Sequence, residues 1–235
     1  MNGGPPDAVA FDVNETLTDL APLTEVFARW GLEGITVRWW FAVLLRDGFA
    51  VAATGGTALF SDLAEAALDE LAAASGRSLP RGAGDEVADA WGRLSVHRDV
   101  LPALERLRAA GIPAFALTNG SVAPTRQILA AAGVVDLFTG ILSVDDVGHW
   151  KPRPEPYRYL AEVAGVSPER VALVAVHPWD LHGAASAGLT TGWANRDGRR
   201  YPSMFRTPTV QSAVLDGVIE RLVALGGVQL ARERS

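Results

Sequence analysis

Asp12, Asn14 and Thr16 follow a short apolar run at residues 8–11 (AVAF), and Thr118, Asn119 and Ser121 follow another at residues 113–117 (PAFAL). His177, Trp179 and Asp180 follow a third at residues 171–176 (VALVAV), and Lys151 stands in a loop between the second and third. A carboxylate becomes a nucleophile when it is positioned beside a cation, and the covalent intermediate it forms must then be opened by water. Lys151 is suited to hold Asp12 ionised. Asp180 is placed to orient that lysine or the hydrolytic water, and Thr118 and Asn119 to donate hydrogen bonds to a substrate or leaving group. Each residue alone has a plain structural reading: Asp12 as a turn residue, Thr118-Asn119-Gly120 as a tight turn, Asp180 as a helix N-cap. Their order along the chain, each at the end of an apolar run, points to one site.

Lys151 carries extra information because the 21 cationic side chains are twenty arginines and this one lysine. A compact ammonium and a planar guanidinium are not interchangeable next to a carboxylate. A lysine kept in so arginine-rich a chain therefore suggests a role specific to lysine.

The elements that must position these groups are legible. The short apolar runs, with a fourth at residues 190–193, alternate with helical text, which predicts βαβ units on a parallel sheet: an α/β, Rossmann-like, doubly wound core. Val100, Leu101, Leu104 and Leu107 keep helical spacing before Gly111, and Ile128 and Leu129 lead to Gly133. Right-handed crossovers bring successive strand ends to one edge, where ligands bind in open parallel sheets. Between the first strand and about residue 95 the text turns Trp- and Ala-rich. Leu63, Ala66, Ala67, Leu68 and Leu71 mark one amphipathic helix and residues 38–46 (RWWFAVLLR) another. The expected organisation is a core of residues 1–18 and 96–235 with a helical cap over 19–95. Trp39, Trp40 and Phe41 read as core packing.

Composition narrows the partners. With 235 residues, 49% of them hydrophobic, the chain has enough material for one core and an appended module. A net charge of -6 with no basic block gives no footprint for nucleic acid or an anionic membrane. No run approaches a membrane span, and the first residues lack a secretory pattern. The absence of cysteine excludes disulfides, thiolate metal sites and a cysteine nucleophile. A cytoplasmic protein with a small-molecule partner is expected.

These segments, FDVNETL (11–17), LTNGS (117–121), Lys151-Pro152 and VAVHPWD (174–180), resemble in order and spacing the four motifs of the haloacid dehalogenase superfamily. The resemblance covers nearly the whole chain. It implies Asp12 as nucleophile, Thr118 as the motif-two hydroxyl, Lys151 as the motif-three lysine and Asp180 as the motif-four carboxylate. The superfamily's magnesium-dependent phosphatases use a second Asp two residues after the nucleophile. Here that position is Asn14, which cannot give up a proton to a leaving alkoxide, and one acid, Asp180, stands where those enzymes use a pair to help hold the metal. Halide displacement needs neither proton nor metal.

The sequence is most similar to the L-2-haloacid dehalogenase branch, through LTNGS, the KPxPxxY pattern ending at Tyr157, and Trp179-Asp180. That likeness implies attack of Asp12 on C2 of a 2-halocarboxylate, an ester, and its hydrolysis to a 2-hydroxy acid with inversion and no cofactor. It places Arg38, Asn119, Asn14, Thr16, Tyr157, His177 and Trp179 around substrate and halide, with Arg46 as a second candidate for the arginine, and the substrate carboxylate on Thr118 and nearby backbone N–H groups. For either arginine a solvated helix face is an equal reading, and Phe60 falls near the branch's substrate-wall aromatic, with plain core the preferred reading. The branch commonly has a serine and an asparagine where this chain has Ala175 and His177. His177 reads either as a donor or base near neutral pH or as a packed loop residue. Glu15 adds charge beside the nucleophile. A homodimer rests on family likeness alone. The alternatives are a magnesium-dependent phosphatase and a non-catalytic binding protein of the same fold.

Overall fold

The computed structural model describes residues 4–32 and 37–225. Strands β1 (Ala8–Asp12), β4 (Ala114–Thr118), β5 (Gly140–Ser143), β6 (Val171–Ala175), β7 (Thr190–Ala194) and β8 (Val210–Ser212) form one sheet in the order β5-β4-β1-β6-β7-β8, every pairing parallel. β1 lies at the centre, with Phe11 opposite Ala116 on one side and Val174 on the other. A strand covered on both faces needs apolar residues at successive positions, which is why AVAF and VALVA read as unbroken apolar runs. The period of two then sorts them. Val9 and Phe11 pack with α5 (Val100–Ala109), α6 (Val122–Ala131) and α9 (Leu215–Val223), whereas Ala8 and Ala10 face α7 (Pro154–Ala164) and α8 (Pro178–Ser186). Gly111 and Gly133 take φ values of 69° and 70° just past α5 and α6, the left-handed geometry that ends a helix most readily at glycine.

Between β1 and β4 the chain forms α1 (Leu23–Arg29), α2 (Val37–Ala53), α3 (Phe60–Ala74) and α4 (Ala83–Trp91). Entry and exit run side by side as a ribbon, β2 (Thr18–Asp19) antiparallel to β3 (Ser95–Val96). The four helices share a hydrophobic cluster that also takes in Ile128, Val144 and Trp150 from the sheet-bearing part. Trp40 is fully buried and donates from Nε1 to the Ala64 carbonyl at 2.9 Å. Its neighbour Trp39 departs from the expected core role: two positions on one helix differ by about 100°, and Trp39 is half exposed. No described helix is long and apolar enough to cross a membrane.

Candidate active site

Pairing sets the geometry. Asp12 ends β1 opposite Leu117, so Asp12 and Thr118 emerge from adjacent strands at the same sheet edge. β6 pairs on the other side of β1 and delivers Val176 and His177 to that edge, with Asp180 following in the first turn of α8.

Lys151 is the hub. Its side chain has no exposure, and Nζ donates to Asp12 Oδ1 at 2.8 Å, Asp180 Oδ2 at 2.7 Å and the Leu117 carbonyl at 3.0 Å. An ammonium has three donors, and all three are used. The lysine is held in turn by Asn119, whose Oδ1 accepts from the Lys151 backbone N–H at 3.0 Å. Asp180 is fixed from its other oxygen by the buried Tyr157 hydroxyl, which donates at 2.6 Å. Asp12 Oδ2 accepts from the Thr16 hydroxyl at 2.6 Å and lies 2.9 Å from His177 Nδ1, and that same Thr16 oxygen accepts from the Val176 N–H at 3.0 Å. Three of the roughly four acceptor directions of the Asp12 carboxylate are thereby filled, leaving one.

His177 links this cluster to a residue whose role was not foreseen from sequence. Its Nε2 lies 2.9 Å from Glu15 Oε2, and its ring stacks on Trp179 at a centroid distance of 5.3 Å with Phe41 of α2 at 6.1 Å. Glu15 has a φ of 61°, the one positive value at a non-glycine position among the described residues. A non-glycine residue held in that region costs of order 1 kcal/mol or more and persists where surroundings impose it. Here the Glu15 carbonyl faces His97 Nε2 at 3.2 Å, and Arg196 donates to the adjacent Thr16 carbonyl at 2.9 Å while paired with Asp99.

Electrostatics follow from these contacts. Burial alone would raise the Asp12 carboxyl, but the Lys151 ammonium and the His177 hydrogen bond overcome it and hold the group well below the usual carboxylate range. Burial likewise disfavours charge on His177, and the hydrogen bonds to Asp12 and Glu15 reverse that and push it up to about 9. Burial works against the Lys151 charge too, and the Asp12 and Asp180 carboxylates outweigh it, raising the ammonium above its ordinary value. Asp180 goes the other way: burial, with the Asp12 charge adding to it, pushes its carboxyl above the ordinary value against the pull of Lys151. At neutral pH Asp12 is ionised beside the Lys151 ammonium and a protonated His177.

A cavity of about 600 Å³ opens beside the cluster. Asn14, Thr118, Gly120 and Ser121 form its floor, and Phe60, Leu68 and Trp91 are among the helical residues that roof it. Thr118 Oγ1 accepts from the Gly120 N–H at 2.9 Å, which leaves the hydroxyl proton for a ligand. Phe60 both lines this cavity and packs on Trp91 and Trp150.

The structure thus brings together Asp12, Thr16, Lys151, Tyr157, His177, Trp179 and Asp180, with Asn119 behind the lysine and Asn14 and Thr118 at the cavity. It does not bring either arginine to Asp12. Arg38 is 70% exposed and pairs with Asp197 at 3.0 Å, beside a separate cavity of about 310 Å³. Asn119, expected beside the halide, is committed to the lysine loop. Arg46 pairs with Asp47 and Glu70 on the outer face of the helices. Both arginines therefore take the solvated-face reading. Glu15 was recognisable as a charge near Asp12, but its pairing joins residues 162 positions apart, and only strand order makes that contact.

A dication fits this arrangement poorly. The Lys151 ammonium lies between Asp12 and Asp180, Thr16 and His177 engage the remaining Asp12 oxygen, and Tyr157 the remaining Asp180 oxygen, so the one direction open on Asp12 falls short of the several hard oxygen donors magnesium requires. Among the described residues no group of three or more His, Asp or Glu is arranged to hold a metal.

A doubly wound parallel sheet with a helical insertion after the first strand, and a carboxylate–ammonium–carboxylate cluster at the carboxyl ends of its strands, defines an aspartate-centred α/β hydrolase architecture. The haloacid dehalogenase-like hydrolase profile matches residues 6–188, and the chain belongs to that family. It is 30% identical over 138 residues to haloacetate dehalogenase H-2 of Moraxella sp. strain B, covering 59% of this chain and 62% of that relative. It is also 30% identical over 141 residues to an (S)-2-haloacid dehalogenase of Pseudomonas sp. strain YL, covering 60% and 61%. The chain thus spans about three-fifths of the length of these curated relatives. Over nearly full length it superposes on a crystal structure of an L-2-haloacid dehalogenase with a TM-score of 0.85 and 25% identity, covering 93% of this chain and 99% of the other.

Proposed function

We propose that the chain hydrolyses the carbon–halogen bond of small 2-halocarboxylates without a metal, through an ester on Asp12. The observation that carries this reading is a buried Asp12 with the chain's single lysine at 2.8 Å, which favours its ionised form, next to residues Asn14 and Thr118 that line the cavity. In the first step a free lone pair of Asp12 displaces halide from C2 in line, which requires no acid. In the second, water opens the ester and releases a 2-hydroxy acid with inverted configuration. The Thr118 hydroxyl and backbone N–H groups after Asp12 and Thr118 hold the substrate carboxylate. With both arginines elsewhere, the departing halide is met by the Asn14 amide on the cavity floor, under the Phe60 and Trp91 side chains. Asn119 and Tyr157 act by fixing Lys151 and Asp180. The helical segment 19–95 serves as the cap that closes the reaction from bulk water.

Halide release from 2-chloropropionate, measured with and without EDTA, tests the assignment. Equal rates are expected, with release abolished in Asp12→Asn. Turnover that persists in that variant removes Asp12 as nucleophile, and EDTA-sensitive phosphate release in place of halide release moves the chain to the phosphatases.

A further inference from the structure

Opening the ester requires a base, and Asp180 is badly placed to be one. It is fully buried, with one oxygen on Lys151 at 2.7 Å and the other on Tyr157 at 2.6 Å. Ala175, on the same strand-end segment, has no polar side chain to offer. His177 is placed differently: Nδ1 touches the Asp12 carboxylate at 2.9 Å, one bond from the carbon that water must attack, and Nε2 is anchored on Glu15 at 2.9 Å. We propose, resting on the dehalogenase reading, that His177 is the base of the ester-opening step and that Glu15 is the residue that positions it.

The charges that face His177 are Asp12 from β1 and Glu15 from the loop after it; Phe41 and Trp179 cover the ring without charge, while Lys151 and Asp180 lie behind Asp12. In the resting enzyme the two carboxylates keep the imidazole protonated. Once halide has left, Asp12 is a neutral ester, and His177 faces Glu15 alone. The imidazolium then sheds its Nδ1 proton to solvent. The freed Nδ1 takes a proton from a water whose oxygen bonds to the Asp12 carbonyl carbon. The tetrahedral adduct breaks its bond to the substrate oxygen and passes its hydroxyl proton to that departing alkoxide. The products are a 2-hydroxy acid and the Asp12 carboxylate, carrying the water oxygen, beside a protonated His177. The nucleophile thus switches its own base off and on.

Rapid-quench halide release with intact mass spectrometry on 2-chloropropionate tests this in His177→Asn, whose amide still donates to Asp12 but takes up no proton. One halide per protein is expected, with an Asp12 ester that accumulates and decays about 10²–10⁴-fold more slowly than in the wild type. In Glu15→Gln, single-turnover ester decay is expected to keep its rise with pH but with the midpoint moved to lower pH, since the imidazolium loses its remaining anion; a merely structural role would leave that midpoint in place. Equal ester decay in His177→Asn and wild type, or a midpoint unmoved in Glu15→Gln, overturns the proposal alone. Wild-type protein that never forms an Asp12 ester overturns the dehalogenase reading and this proposal with it.

Discussion

Replacing Lys151 by Met keeps length and volume but removes a charge that two buried carboxylates share. Asp12 and Asp180 then face each other without the cation between them, His177 remaining as the one cation on the other Asp12 oxygen, and the Leu117 carbonyl loses its donor. Breaking a buried ion pair by removing one partner costs about 3–5 kcal/mol, and at roughly 2–4 °C per kcal/mol for a chain of this size the melting temperature is expected to fall by about 6–20 °C at neutral pH. The sign of the pH dependence distinguishes this cause from simple loss of packing. In the wild type the Asp12 carboxyl is held below its unfolded value, so its contribution is complete above roughly pH 4 and fades as pH falls. In the variant, burial and mutual repulsion raise the carboxyls above their unfolded values, so protonation relieves the penalty. The deficit relative to wild type is therefore largest at neutral pH and shrinks toward pH 4, and halide release is lost because the nucleophile is no longer kept ionised. Differential scanning calorimetry from pH 4 to 8 reads both curves. A deficit under about 2 °C, or one independent of pH, would refute the ion-cluster account.

Tyr157→Phe deletes the hydroxyl that donates to Asp180 at 2.6 Å and is expected to cost about 1–3 kcal/mol in urea unfolding while slowing turnover, since Asp180 is no longer held from both sides and fixes Lys151 less firmly. Gly183→Ala places a Cβ 2.7 Å from both Pro152 Cβ and Tyr157 Oη, pushing α8 off the lysine loop; a loss of about 1–3 kcal/mol with a disproportionate fall in kcat is expected from calorimetry and halide assays. His177 is raised above its unfolded value, so its contribution to stability is full below the unfolded value and is lost as pH rises through about 9. Thermal melts between pH 7 and 10 are expected to show that decline in the wild type and a flatter profile in His177→Asn.

How much was readable from sequence depended on how local each signal was. The central strands β1, β4 and β6 were legible because a strand buried on both faces is apolar at nearly every position, and β7, Thr-Thr-Gly-Trp-Ala, was legible by its β-branched and aromatic residues. The strands at and near the edges were not: β5 opens on a glycine, and β8 is Val-Gln-Ser, with nothing apolar to hide on its outer side. Asp12, Lys151 and Asp180 were legible as a set because each follows or lies between apolar runs, and sheet order did the rest. Trp39 and Trp40 were indistinguishable in text, since helix phase alone decides which one turns inward. The arginines failed for a related reason. A guanidinium has the same spelling whether it reaches a halide or a surface aspartate, and Arg38 reaches Asp197, 159 positions away. The Glu15–His177 contact needed both a left-handed backbone and two loops from adjacent strands, neither of which leaves a pattern in composition.

The single lysine with no solvent exposure makes this chain its own reporter. Reagents that acylate side-chain amines find one target, and they reach it only when the buried cluster breathes open far enough to part the ammonium from both its carboxylates. The rate of Lys151 modification therefore measures that opening without any introduced probe, and a bound substrate analogue that clamps the floor is read as protection of one mass increment.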